Sequence, residues 1–147
     1  EPGIFWWPGR IAPGVVREMG STLDLFPTIV KLAGGEVSSD RPLDGYDLAP
    51  VLFGKGPSPR ETMLYYRGTE LYAVRKGPWK AHYLTQAAYG KDMTKTPHDP
   101  PLLYNLAVDP SERFDVKEKH AEVIADLKKA VEAHFASVTP VENQLEK

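Results

Sequence analysis

Hydrophobic positions along the chain change their spacing twice. Gly3-Ile4-Phe5-Trp6-Trp7 is a continuous apolar run ended by Pro8-Gly9, the pattern of a strand buried on both faces. After a loop from Arg10 to Gly20, the residues Leu25, Phe26, Ile29, Val30 and Ala33 recur at three- and four-residue spacing. That spacing predicts a helix from Ser21 to Gly34. Ser21-Thr22-Leu23-Asp24 has the form of a capping box, in which a hydroxyl and a carboxylate satisfy free N–H groups of the first turn. Gly34-Gly35 supplies the stop. Pro27 removes one backbone hydrogen bond and predicts a kink. Glu36 to Asp47 is polar, with Asp44-Gly45 as a tight turn, and Asp47 to Phe53 fits one short turn of helix before a loop from Gly54 to Arg60.

From Glu61 the period shortens. Met63–Arg67, Leu71–Arg75 and Trp79–Leu84 are short runs rich in aromatic and β-branched residues, separated by Gly68-Thr69-Glu70 and Lys76-Gly77-Pro78. They predict an antiparallel meander. A long loop from Thr85 to Pro101 precedes a fourth strand at Leu102–Leu106. Asp109-Pro110-Ser111-Glu112 reads as a turn with its proline placed to start a helix. Val123, Ile124, Leu127, Val131, Phe135 and Val138 then form one apolar stripe, the signature of a long amphipathic helix ended at Thr139-Pro140.

Composition narrows the chemistry. The 147 residues carry 18 basic and 20 acidic side chains, a net charge of −2, which offers no electrostatic footprint for nucleic acid. No apolar run approaches the ~20 residues of a membrane span. Without cysteine there is no disulfide, thiol nucleophile or Cys-ligated zinc. Chain length suits one domain, or two small subdomains. Glu1 is followed at once by what reads as a structural element, which predicts a piece cut from the C-terminal side of something larger.

No complete active site is legible. The histidines His82, His98, His120 and His134 are scattered, with no metal-binding spacing. A calcium-loop candidate starting at Asp40 has Pro42 and Val51 where ligands are needed. Gly54-Lys55-Gly56 is no phosphate loop, and no serine sits in a nucleophile elbow. Arg67, Arg75, Lys80 and His82 could line a pocket for an anionic group, or simply face solvent from a half-buried sheet. His82 lies mid-strand, where a packed histidine is the alternative to a ligand contact. Tyr65, Tyr66, Tyr72 and Trp79 could stack on sugar rings, or form cross-strand pairs. The loop from Thr85 to Pro101 holds Gln86, Tyr89, Lys91, Asp92, Lys95 and His98, and loops of that length are often functional or disordered.

Six ordered blocks together resemble the C-terminal part of formylglycine-dependent sulfatases, on the arylsulfatase A and N-acetylgalactosamine-6-sulfatase side of that family. They are Pro2 to Gly9, Ser21 to Thr28, Asp44 to Leu48, Tyr65 to Gly68, Ala73 to His82, and Pro100 to Leu106 with Asp109 to Arg113. The resemblance implies an α+β fold: a four-stranded antiparallel sheet packed on a long C-terminal helix, preceded by a strand and helix of an alkaline-phosphatase-like α/β domain. Residues 1–60 would be the edge of that large domain and 61–147 the small C-terminal subdomain.

The same resemblance implies what this chain leaves to others. The family's nucleophile is a formylglycine made from a Cys/Ser-x-Pro-x-Arg motif, which does not occur here; in Pro57-Ser58-Pro59-Arg60 the serine precedes proline directly. No catalytic or metal residue can therefore be carried over. Calcium and formylglycine are expected in the parent enzyme, with its N-terminal catalytic domain as partner and a sulfated carbohydrate or aryl sulfate as substrate. Tyr89, His98 and His82 are the candidate substrate contacts, at a pocket rim. A parent enzyme of this kind would be periplasmic or secreted. The bare Ile4–Trp7 strand predicts self-association. The alternatives are a free-standing glycan-binding module and a purely structural lid.

Overall fold

The computed structural model describes residues 3–88, 93–139 and 141. The chain divides into two compact units, Glu1–Glu61 and Thr62–Lys147, taken here in turn.

In the first unit the capping box forms as its residue types dictate. The Ser21 hydroxyl accepts from the Leu23 N–H, and the Asp24 carboxylate accepts from the Ser21 N–H at 2.7 Å. Winding begins as a 3-10 turn, Thr22–Asp24, and continues as α1, Leu25–Leu32. Pro27 is thus third in α1, inside the first turn, where N–H groups have no intrahelical acceptor to lose. The change of winding stands in place of the expected mid-helix kink. Gly34, at φ 78°, ends the helix, and the Gly35 N–H returns to the Val30 carbonyl at 2.9 Å, as a left-handed C-cap does. The single turn of α2 spans Ala49–Leu52.

Two expectations for this unit are corrected. Gly3–Trp7 forms no strand, and Ile4 and Trp6 are 91% and 83% exposed. A strand exists only through its ladder, and no described segment pairs with this one. Asp44-Gly45 is a bend rather than a tight turn. Its glycine is needed because a Cβ there would collide with the Leu23 carbonyl oxygen and touch the Pro27 ring. α1 also turns the apolar Phe26 and Ile29 outward while burying Thr28. The Thr28 hydroxyl accepts from the Leu48 N–H at 2.8 Å and donates to the Asp24 carbonyl at 2.6 Å.

The second unit is a meander in the order β1-β2-β3-β4, all antiparallel. The strands are β1, Thr62–Arg67; β2, Glu70–Lys76; β3, Trp79–Thr85; and β4, Thr96–Asn105. Two-residue loops join the first three, with Gly68 at φ 58° and Gly77 at φ 54°, the glycine-first arrangement that matches strand twist. One sheet face carries Val74, Ala81 and Leu103, fully shielded against Leu127 and Val131 of α3, Ala121–Ser137. This is the expected sheet on a long helix, and the fold is α+β.

β4 begins six residues earlier than its hydrophobic pattern suggests. Leu84 pairs with Pro97 and Thr85 with Thr96, so Thr85 and residues 96–101 of the expected Thr85–Pro101 loop are strand. Prolines 97, 100 and 101 hid it, yet β4 is an edge strand, where missing N–H donors are tolerated. No helix starts at Pro110. Instead the Asp109 carboxylate, 9% exposed, accepts from the Arg113 and Phe114 N–H groups at 2.8 and 2.9 Å and holds Glu112 at φ 54°. Among the described residues no helix is long and apolar enough to cross a membrane.

Candidate functional site

The sheet face away from α3 gathers the polar residues. Register sets Tyr65, Ala73, His82 and Leu102 in one row across the four strands, and Arg75, Lys80 and Tyr104 in the next. Pairing shifts by one residue between Tyr65 and Tyr66, whose partners are Ala73 and Leu71. Tyr72 is the extra residue of that bulge, and it joins Ala73 in lining a cavity on this face.

Glu112 reaches the face from its left-handed turn. Its two oxygens divide between Lys80 Nζ at 2.6 Å and His82 Nε2 at 2.7 Å. The side chains of Lys80, His82 and Glu112 are 17%, 18% and 27% exposed. The Lys80 ammonium also lies 4.8 Å from the Tyr65 ring centroid, a cation–π contact, and Tyr104 meets His82 edge-on at 5.7 Å. Burial first, and then the Lys80 charge, push the His82 imidazole below its ordinary value, with Glu112 opposing. Neutral His82 with Nε2 on a carboxylate carries its proton on Nε2, which leaves Nδ1 an acceptor.

Gln86 ties a second polar group to the same face. Its Oε1 accepts from Arg67 Nη1 at 2.6 Å and from the Tyr72 hydroxyl at 2.8 Å, and its amide nitrogen donates to the Met93 carbonyl. Lys95 pairs with Glu70. The ends of the connection between β3 and β4 are thereby fastened to β1 and β2. Between the two groups lies an open cavity of about 270 Å³ lined by Tyr65, Tyr72, Lys80, His82, Thr85 and Gln86, with Ala73 and Leu84 the apolar lining residues.

The sequence-derived candidates do not converge on this cavity. His82 lines it. His98 instead bonds the Thr85 hydroxyl at 2.8 Å and lines a different cavity of about 400 Å³ between β4 and α3, with Tyr83, Pro100, Pro101 and Ile124. Tyr89 lies outside the described residues. Of the cationic set, Lys80 belongs to the site, Arg67 reaches it through Gln86, and Arg75 turns away to the Gly77 carbonyl. Glu112 was missed as a site residue, the turn-forming Asp109-Pro110-Ser111-Glu112 being the available signal; Gln86 had been named only within the polar set of the Thr85–Pro101 loop. Among the described residues no group of three or more His, Cys, Asp or Glu could hold a metal.

Residues 58–147 match the family model for the C-terminal region of aryl-sulfatase. The chain belongs to that family. Arylsulfatase A of Bos taurus is 41% identical over 148 residues, covering 89% of this chain and 29% of the bovine protein. N-acetylgalactosamine-6-sulfatase of Mus musculus is 35% identical over 168 residues, covering 99% of this chain and 32% of the mouse protein. The crystal structure of the PsFucS1 sulfatase from Pseudoalteromonas sp. superposes with a TM-score of 0.74 at 24% identity, over 89% of this chain and 28% of that one. The matched residues contain the whole of the second unit, and the chain spans under a third of the relatives named here.

Proposed function

We propose that this chain is the C-terminal portion of a sulfuric ester hydrolase acting on sulfated sugars or aryl sulfates. It would contribute a pocket rim and structural support, and it would be inactive alone. The observation that carries the reading is the match of residues 58–147 to the C-terminal region of aryl-sulfatase. It is joined by a sequence without cysteine and without a Cys/Ser-x-Pro-x-Arg motif. Calcium and formylglycine belong, on this reading, to the rest of the parent enzyme. Their chemistry would be charge neutralisation and nucleophilic attack on sulfur. His82, His98 and Tyr89 are the rim contacts this reading assigns.

The exposed side chains of the first unit support a covering partner. Ile4, Trp6, Phe26 and Ile29 are each more than half exposed, which a solvated surface does not favour. An N-terminal catalytic domain would cover them. Without it, the same side chains drive self-association of the chain. The test is the coding sequence upstream of Glu1. A Cys/Ser-x-Pro-x-Arg motif preceded by an early Asp-Asp pair supports the reading; a start codon just before Glu1 rejects it.

A further inference from the structure

Asp44-Gly45 is the only Asp-Gly step in the sequence, and the first unit places its peptide bond in an uncommon setting. Arg60 donates from Nη2 to the Asp44 carbonyl at 2.6 Å. The Gly45 N–H, at the other end of the same peptide unit, finds no acceptor among the described residues, although Gly45 is half-buried and backbone donors away from water are usually paired. The fold also demands glycine after Asp44, because a Cβ on residue 45 would lie 2.2 Å from the Leu23 carbonyl oxygen.

These features together make a reactive bond. An amide nitrogen becomes a nucleophile when it gives up its proton, and peptide resonance then carries the negative charge onto the carbonyl oxygen. A hydrogen bond to the charged form favours that form, and a guanidinium keeps its charge at any working pH. Arg60 therefore makes the Gly45 N–H easier to deprotonate. The electrophile is next to it. Asp44 is exposed, and no hydrogen bond or ion pair ties its carboxyl group among the described residues. It can turn onto the neighbouring nitrogen, and glycine has no side chain to crowd the approach.

We propose that Asp44-Gly45 is a site of spontaneous backbone modification in the folded chain, converting Asp44 to isoaspartate, with Arg60 polarising the peptide bond that reacts. The Gly45 nitrogen loses its proton and bonds to Asp44 Cγ, while the carboxyl hydroxyl takes up a proton and leaves as water, closing a succinimide ring. Water then adds to one ring carbonyl and breaks that carbon's bond to nitrogen. Opening at Cγ restores Asp44. Opening at the main-chain carbonyl carbon leaves the chain running through the side chain, one methylene longer, and turns the carbonyl that Arg60 held into a carboxylate. The extra atom falls just before Tyr46, whose N–H donates to Asp24 Oδ1 at 2.8 Å, so the change loosens this segment's tie to the start of the helix.

The test is prolonged incubation of the full 147-residue chain near neutral pH, folded and in concentrated urea, followed by peptide mapping and isoaspartyl methyltransferase labelling. The succinimide registers as a peptide lighter by one water, and isoaspartate as a peptide of unchanged mass that accepts the methyl label. Label at residue 44 should accumulate in the folded chain at least as fast as in urea. Arg60→Lys keeps the charge but removes the guanidinium fork, so it should slow labelling of the folded chain about tenfold, the loss of one charged hydrogen bond, and leave the rate in urea unchanged. Asp44→Glu, which would have to close a larger ring, should remove the label. If Arg60→Lys does not fold, the comparison of folded and urea-unfolded chain without substitution decides alone. Slower labelling in the folded chain than in urea, an unchanged rate in folded Arg60→Lys, or label persisting in Asp44→Glu would overturn the proposal.

Discussion

Arg60 closes on Asp24 across 36 residues of sequence: its Nε meets Oδ2 at 2.9 Å while Nη2 takes Oδ1 and the Asp44 carbonyl. Asp24 is wholly shielded and Arg60 is 7% exposed. The same carboxylate caps the 3-10 turn through the Ser21 N–H and accepts the Tyr46 N–H at 2.8 Å. Arg60 also stacks 4.9 Å over the Tyr46 ring. One side chain thereby joins the start of the helix, the Asp44–Leu48 segment and the last residues of the first unit.

Removing either partner breaks a buried, hydrogen-bonded ion pair, at a cost of about 3–5 kcal/mol. Asp24→Ala should therefore unfold the first unit selectively. In a Trp79→Phe background the remaining indoles, Trp6 and Trp7, both report on that unit. Denaturation followed by their fluorescence should shift strongly, while a methyl probe at Leu103 barely moves. Equal shifts in both signals would show that Asp24 supports more than its own unit.

Acid acts on the same pair. Burial by itself would raise the Asp24 carboxyl, but hydrogen bonds from Arg60, Tyr46 and Ser21 outweigh it and hold the group below its ordinary value. The stability it contributes is present above the unfolded value near 3.9 and lost as pH falls through the lower folded value. Trp6 and Trp7 fluorescence should hold steady down to about pH 4 and change below it. A transition centred near neutrality would contradict this origin.

Gly45 has no room for a methyl group, since its Cβ would strike the Leu23 carbonyl oxygen, a backbone atom, and press on the Pro27 ring. Gly45→Ala is expected to cost about 1–3 kcal/mol, the usual range for overpacking. Urea denaturation of the first unit measures it. A neutral result would mean that the Asp44-Gly45 bend relaxes freely.

Helix α3 offers an internal control. Leu127 is 1% exposed against Val74 and Leu103, whereas Phe135, on the stripe read from sequence, is 48% exposed. Leu127→Ala should lose about 2–5 kcal/mol and Phe135→Ala within about 0.5 kcal/mol of nothing. Thermal unfolding of the two variants ranks them, and a reversed order would refute the assigned core.

His82 supplies the pH signature of the candidate site. Its imidazole is lowered chiefly by burial and then by Lys80, with a further small push from His98 and an opposing pull from Glu112. A base lowered in the folded state binds its proton more readily when unfolded, so its stabilising contribution is lost as pH falls below about 6.5. The His82 ring signals should titrate below that value, and lower still in Glu112→Gln. A midpoint above 6.5 would show that Glu112, not burial, governs the group.

Much of this molecule was legible in its sequence, for physical reasons that differ by element. The meander and the capping box follow from local rules: β-branched and aromatic runs broken by Gly68 and Gly77, and Ser21 three residues before Asp24. The second half of Asp24's work was not legible, because Arg60 lies far away and its motif-like setting suggested only a false nucleophile. The early start of β4 was hidden by prolines that an edge strand tolerates. The Gly3–Trp7 strand was read from burial preference, whereas strands form by pairing. His82 was found as a polar residue on a strand, but Glu112, its partner 30 residues away in sequence, could be placed only by the fold of the Asp109 turn.

The most direct measurement is sulfate release, by ion chromatography, from N-acetylgalactosamine 6-sulfate and nitrocatechol sulfate. It compares the product of the complete reading frame containing this chain with the isolated 147 residues. The full product should release sulfate over many turnovers, and the isolated chain none. Release by the isolated chain, or none by the full product on either substrate, would contradict the account.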